Sequence, residues 1–192
     1  IVETVRYSSR VSWKPKKQAW LVDYASYYKT PVDFIVHSIT GAVGKNAPAI
    51  QEGQQFNVFK RDVTFYFHMV ISFASKKMRL YYVLPKENRV VFLKTYPICL
   101  GRKDSSKVSG SLTPFGVFQL GTRVACFHPK MMGNHKGARV ELIQVFGTRW
   151  IPFETEIDCC TEPAKGLGIH GAPLIYNATT GQLEENISGI GD

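Results

Sequence analysis

The period of the hydrophobic positions changes along the chain, and the change divides it. Between Trp20 and Lys29 the apolar residues Leu21, Tyr24, Ala25 and Tyr28 recur at i, i+3, i+4 and i+7. That spacing places them on one face of a short amphipathic helix. Thr30-Pro31-Val32-Asp33 then has the order of a new helix start. Thr30 is expected to be the N-cap, Pro31 the first helical residue, and Asp33 the acid near the positive end of the dipole. This second helix is expected to run through Phe34 and Ile35 to about Ser38, with Gly41, Gly44 and Pro48 breaking the pattern beyond it. Gln55-Phe56-Asn57-Val58-Phe59 alternates as a strand does, and Val11-Ser12-Trp13 offers a matching strand ahead of the helices. Residues 1–60 therefore predict a small βααβ domain.

From Val63 onward helical periodicity fades and short apolar runs take over. Strands are expected within Val63 to Phe73, Leu80 to Leu84, Val90 to Leu93, Val117 to Leu120 and Val140 to Val145. Turn residues separate them at Pro85-Lys86-Glu87-Asn88, Gly101, Gly110, Gly121 and Gly147. Several short strands at this spacing predict a mainly β domain, a sandwich or barrel, over residues 61–192.

Composition narrows the class without choosing a function. The 192 residues are 44% hydrophobic, enough for a core, and no run of eighteen apolar residues occurs that could span a bilayer as a helix. The chain begins at Ile1, which is the expectation for a processed or trimmed product. A net charge of +9 favours an anionic partner: nucleic acid, anionic lipid or a carboxylate-rich polymer. The basic residues come in short pieces, Lys14-Pro15-Lys16-Lys17, Lys76-Lys77-Met78-Arg79 and Arg102-Lys103. Cys99, Cys126, Cys159 and Cys160 lack the spacing of a zinc site or a redox pair, so neither metal nor cofactor is expected. In an oxidising compartment Cys126 could pair with Cys159 or Cys160, and buried free thiols are the equal alternative.

In the first domain, Leu21-x-x-Tyr24-Ala25-x-x-Tyr28-x-Thr30-x-Val32-x-x-Ile35 and the closing Ile50-Gln51-Glu52-Gly53-Gln54-Gln55-Phe56-Asn57-Val58 resemble a LysM module. The resemblance implies a wall-binding module that reads peptidoglycan glycan. Where such modules usually carry Gly-Asp-Thr before the first helix, this chain has Lys16-Lys17-Gln18, so the likeness bears on fold more than on sugar contacts.

In the second domain three segments occur in order. Thr113-Pro114-Phe115-Gly116-Val117-Phe118 follows a glycine-rich turn, Arg149-Trp150-Ile151-Pro152-Phe153 comes next, and Gly166-Leu167-Gly168-Ile169-His170-Gly171-Ala172-Pro173 closes the series. Together they resemble the T-P-x-G-x-F, aromatic-rich and I-H-G segments of YkuD-type L,D-transpeptidases, which cross-link peptidoglycan. By that resemblance His170 is the general base, and Gly171, Trp150, Phe153 and Thr113 bind substrate. The family's nucleophilic cysteine lies in a Ser/Thr-His-Gly-Cys segment, and here it is expected just after Asp192, with Ile190-Gly191 as its lead-in. Leu174 to Asn186 is longer than usual for the family and predicts an added loop or hairpin beside the site. The implied partners are peptidoglycan stem peptides and glycan, with carbapenem-type β-lactams as inhibitors and no nucleic acid. The implied location is the periplasm or cell envelope.

Two alternatives share this fold: an L,D-carboxypeptidase that uses water as acceptor, and a wall-binding protein without catalysis. A basic β-domain that binds nucleic acid is a third, resting on Tyr81 and Tyr82 beside Arg79. Cys159 and Cys160 are poor candidates for the nucleophile. They precede His170, and the acidic run Glu154-Thr155-Glu156-Ile157-Asp158 raises a thiol pKa rather than lowering it. His37, His68, His128 and His135 have no motif around them.

Overall fold

A computed structural model describes residues 1–9, 19–42, 46 and 48–186. The chain forms two compact units, Ile1–Val70 with Arg79–Thr95, and Ile71–Met78 with Tyr96–Asp192.

The first unit opens with strand β1 (Val2–Arg6), helices α1 (Ala19–Tyr27) and α2 (Val32–Thr40), and strand β2 (Gln55–Phe59). β1 and β2 pair antiparallel, from Val2 opposite Phe59 to Arg6 opposite Gln55. This is the expected βααβ order. The strand expected at Val11 to Trp13 lies outside the described residues, and the partner observed for β2 is β1. Alternation along β2 sends Phe56 and Val58 inward, where they meet Trp20, Leu21 and Ala25 of α1, Ile35 and Val36 of α2, and Tyr7. Each such side chain taken out of water contributes about 1.5–3 kcal/mol, which is what holds two nine-residue helices in place that would be marginal alone. Trp20 lies edge-on to Tyr7 at 5.5 Å and 5.7 Å from Phe56.

The turn between the helices departs from the expected N-cap. Lys29 takes a left-handed conformation (φ 49°). Its N–H donates to the Ser26 carbonyl and the Thr30 N–H to that of Ala25, closing α1 with the paired bonds of a Schellman motif. Thr30 does not cap α2. Its hydroxyl donates to the Tyr28 carbonyl and accepts the Phe59 N–H at 2.8 Å, while Pro31 takes the N-cap position and its carbonyl receives Phe34 and Ile35. The hydroxyl serves β2 because Phe59 stands opposite Val2 in a non-hydrogen-bonded pair, the next residue's N–H reaching the Ile1 carbonyl, so the Phe59 N–H points away from β1. Gly41 ends α2 in the left-handed region, as its place in the sequence predicts.

β3 (Tyr66–Ser72), β4 (Lys77–Leu84) and β5 (Arg89–Pro97) follow as one three-stranded sheet with β4 in the middle. All three sit where apolar runs predict strands.

The second unit continues with β6 (Val117–Leu120), β7 (Ala125–Cys126), β8 (Met132–His135), β9 (Ala138–Glu141), α3 (Ile143–Phe146), β10 (Arg149–Asp158), β11 (Gly168–His170), β12 (Leu174–Tyr176) and β13 (Leu183–Glu185). β10 is its axis, pairing with β11 and β7 near its start and with β6 further along. The run Val140 to Val145 is not one strand. β9 stops at Glu141, Leu142 turns into the helical region, and Ile143 is fully buried on α3. A four-to-six-residue apolar run fits a strand or a buried helical turn equally well by period alone. β12 and β13 form the hairpin expected between Leu174 and Asn186.

Mainly β architecture is therefore present, but among the described residues the strands form separate small sheets and none closes into a barrel. Two features of β10 oppose closure. Its partners β6, β7 and β11 are only two to four residues long, and its register against β6 slips between Phe153 and Thr155 and again between Glu156 and Asp158.

Replacing Thr30, which is 3% exposed, by Val keeps the shape but strips two backbone groups of their hydroxyl partner. The expected loss is about 2 kcal/mol, read as a lower urea midpoint at unchanged m-value, with Thr30→Ser close to wild type. An unshifted midpoint for Thr30→Val would show that the hydroxyl ties nothing together.

Candidate active site

β11 is three residues long and exists to present His170. It lies antiparallel on β10 with His170 opposite Trp150, Ile169 opposite Ile151 and Gly168 opposite Pro152. Residues directly opposite in an antiparallel pair project to the same face, so the Trp150 and His170 rings emerge side by side. They stack at 5.8 Å with an interplanar angle of 14°. Phe146 of α3 meets both edge-on, Trp150 at 5.1 Å and His170 at 5.8 Å. The imidazole is thus lodged in an aromatic corner and still open to solvent on its remaining side.

Its orientation is set by one hydrogen bond. His170 Nδ1 lies 2.9 Å from the carbonyl oxygen of Gly171. A carbonyl can only accept, so Nδ1 carries the hydrogen of this bond. In the neutral ring the lone pair is then on Nε2, the nitrogen on the ring's far side. A histidine held this way is built to take a proton at Nε2 and pass it on.

Two glycines make the arrangement sterically possible. A Cβ at Gly168 would come within 2.6 Å of the Ile151 carbonyl and 2.8 Å of the Trp150 indole, so the bare backbone is what lets the indole lie across β11. A Cβ at Gly147 (φ 62°) would meet the Ala172 carbonyl at 2.4 Å and Gly171 at 2.8 Å. The segment carrying the orienting carbonyl therefore runs hard against Gly147. Gly171 itself donates its N–H to the Arg149 carbonyl at 3.2 Å, extending the β11 register by one step. The loop leading into β11 is held in turn by Glu156, whose carboxylate accepts the Ala164 N–H. That bond keeps its pKa below the usual carboxylate range.

Of the residues singled out from the sequence, the structure brings together His170, Gly171 and Trp150. Phe153 follows Trp150 by three positions, so strand alternation turns it to the other face. There it stacks on Phe118 at 4.7 Å and 22°, a packing pair between β10 and β6. The Thr113 hydroxyl accepts the Gly101 N–H at 2.6 Å, and Ser111 bonds both the Gly101 carbonyl and the Thr113 N–H. The Phe115 N–H donates to the Thr161 hydroxyl and its carbonyl accepts the Thr161 N–H, and a Cβ at Gly116 would strike Cys160 at 2.5 Å. The Thr113 to Phe118 segment thus docks β6 against the end of β10. Phe146 and Gly147 are the site residues that sequence reading missed; Gly168 stood within the Gly166 to Pro173 segment, two positions before the histidine.

All four cysteines are free thiols, and among the described residues none partners His170. Cys126 sits opposite Arg149, one step out of phase with Trp150, and so projects from the other face. Cys159 and Cys160 follow the end of β10, roughly 20 Å along the strand from Trp150 at ~3.3 Å per residue once the two bulged residues are discounted. There they help line an open cavity of about 420 Å³ formed by Glu156 to Pro163. Cys159 Sγ donates to Asp158 Oδ1 at 3.2 Å, and that bond together with the nearby negative charge pushes its thiol pKa up. Cys159 is therefore not poised as a thiolate. Cys160 donates to the Val117 carbonyl.

Nitrogen-15 NMR of His170 in its neutral form is expected to show the Nδ1–H tautomer, the less common one for free histidine. Signals of an Nε2–H ring would mean that the Gly171 carbonyl does not orient it. No family model, curated protein or solved structure matches the chain.

Proposed function

We propose that this chain is a peptidoglycan L,D-transpeptidase with a LysM-like wall-binding module at its N-terminal end, and that His170 is its general base. The supporting observation is the pinned imidazole: Nδ1 committed to the Gly171 carbonyl, Nε2 free, and the ring braced by Trp150 and Phe146. The order of the Thr113 to Phe118, Arg149 to Phe153 and Gly166 to Pro173 segments supports it independently. The βααβ order and antiparallel β1–β2 pair of the first unit are consistent with the module.

In this reading Nε2 of His170 removes the proton of a cysteine expected C-terminal to Asp192. The thiolate attacks the carbonyl carbon of the third, diamino-acid residue of a donor stem, and backbone N–H groups stabilise the oxyanion. The tetrahedral adduct collapses by breaking the bond to the terminal D-alanine, whose amine takes the proton from His170 as it leaves. The side-chain amine of a second stem then attacks the thioester, gives a proton to Nε2, and releases the thiolate as the cross-link forms. Water in place of that amine gives the L,D-carboxypeptidase reaction. The periplasm or cell envelope is where such a substrate is found.

The test is the intact mass of the natural protein before and after a carbapenem. One adduct on a cysteine C-terminal to Asp192, formed at least about a hundredfold more slowly in His170→Ala, is the expected result. Absence of any adduct would leave the wall-binding alternative, and an adduct on Cys159 or Cys160 that ignores His170 would overturn the assignment.

A further inference from the structure

Residues 60–97 carry eight of the chain's lysines and arginines against Asp62 and Glu87 alone, a net +6 out of the +9 of the whole sequence. The β4–β5 hairpin lies at the centre of this segment. Tyr81 of β4 and Phe92 of β5 meet edge-on at 5.7 Å, which places them on one side of the hairpin. Strand alternation puts Arg79, Val90 and Lys94 on the same side. Leu84, out of phase with Tyr81, is 5% exposed, so the opposite side of β4 faces inward and the Tyr81–Phe92 side faces out. On that outer side Val90 is 62% and Phe92 53% exposed. Among the described residues, Arg79, Lys86 and Arg89 make no ion pair with a carboxylate.

Large apolar side chains left in water beside one another mark a contact surface. Cations among them with no acid nearby select an anionic partner. We propose that the outer face of the β4–β5 hairpin docks on an anionic phospholipid surface. Val90 and Phe92 enter the boundary between headgroups and acyl chains, and Arg79 and, from the hairpin turn, Lys86 meet the phosphates on their flexible stems. Nucleic acid is the other polyanion to weigh. It needs several open π-faces on which successive bases stack, and on this side Phe92 is the one exposed aromatic ring, Tyr81 being half-buried edge-on against it, while Val90, the more exposed residue, is aliphatic. This surface lies wholly within Arg79–Thr95 of the first unit, and the proposal is independent of what His170 does.

The experiment is flotation of the purified chain with phosphatidylcholine vesicles, with vesicles of phosphatidylcholine mixed with phosphatidylglycerol, and a parallel titration with a single-stranded oligonucleotide. The expected result is binding to the phosphatidylglycerol vesicles at least about tenfold tighter than to neutral ones, weakening as salt rises. Val90→Ser with Phe92→Ser is expected to lower it roughly tenfold. Arg79→Glu with Lys86→Glu is a second, chemically separate variant with the same expected loss. The proposal is overturned by no binding to the anionic vesicles, by equal binding to neutral ones, by tighter binding to the oligonucleotide, or by vesicle binding that both folded variants leave unchanged.

Discussion

The bond from His170 Nδ1 to the Gly171 carbonyl depends on backbone placement to within a few tenths of an ångström, and most of the second unit around it serves that placement. β11 has too few residues to hold its own register, since three residues against β10 make only a short ladder. The register is enforced instead by close approaches. Gly168 admits the Trp150 indole, Gly147 admits the Gly171–Ala172 backbone, and the Arg149 carbonyl catches the Gly171 N–H. A methyl group at either Gly147 or Gly168 would shift the carbonyl, the ring or both. Held there, the ring has one nitrogen occupied and one for chemistry, and the stacking partners restrict its rotation about χ2 without drawing off the lone pair.

Much of the frame was legible in the sequence because it rests on local rules. The i, i+3, i+4 spacing from Leu21 to Tyr28 and the glycine at 41 marked α1 and the end of α2, alternation marked β2, and short apolar runs marked β3 to β6. Thr30 shows where local rules stop. Its position before Pro31 reads as a helix cap, yet β2, nearly thirty residues later, takes the hydroxyl. Val140 to Val145 shows a second limit, since period alone does not separate a short strand from a buried turn of helix.

The site divides in the same way. His170, Gly171 and Trp150 stood in recognisable segments and came together across one β10–β11 pairing. Phe153 was adjacent in sequence to Trp150 and for that reason seemed part of the same surface, but a three-residue step along a strand reverses the face. Phe146 and Gly147 could not be found from spacing, because their role arises only when α3 is folded beside β11. The cysteines are a case in which charge was readable and distance was not. The acidic run before Cys159 already argued for a raised thiol pKa, and the length of β10 adds that Cys159 and Cys160 are far from the imidazole.

The charge distribution separates two tasks along the chain. Two-thirds of the net positive charge falls in the segment that contains the β4–β5 hairpin, whereas β10 ends in a carboxylate-rich stretch and the imidazole sits among neutral rings. Binding to an anionic surface and proton transfer at His170 are therefore carried by different residues and can be altered separately. The measurement that bears most directly on the central claim is the distance from His170 Nε2 to the nearest cysteine Sγ in a crystal structure of the natural protein. A thiol within hydrogen-bond reach of Nε2, with Nδ1 still on the Gly171 carbonyl, is the predicted result. An Nε2 bonded to some other group, with every cysteine sulfur out of reach, would contradict it.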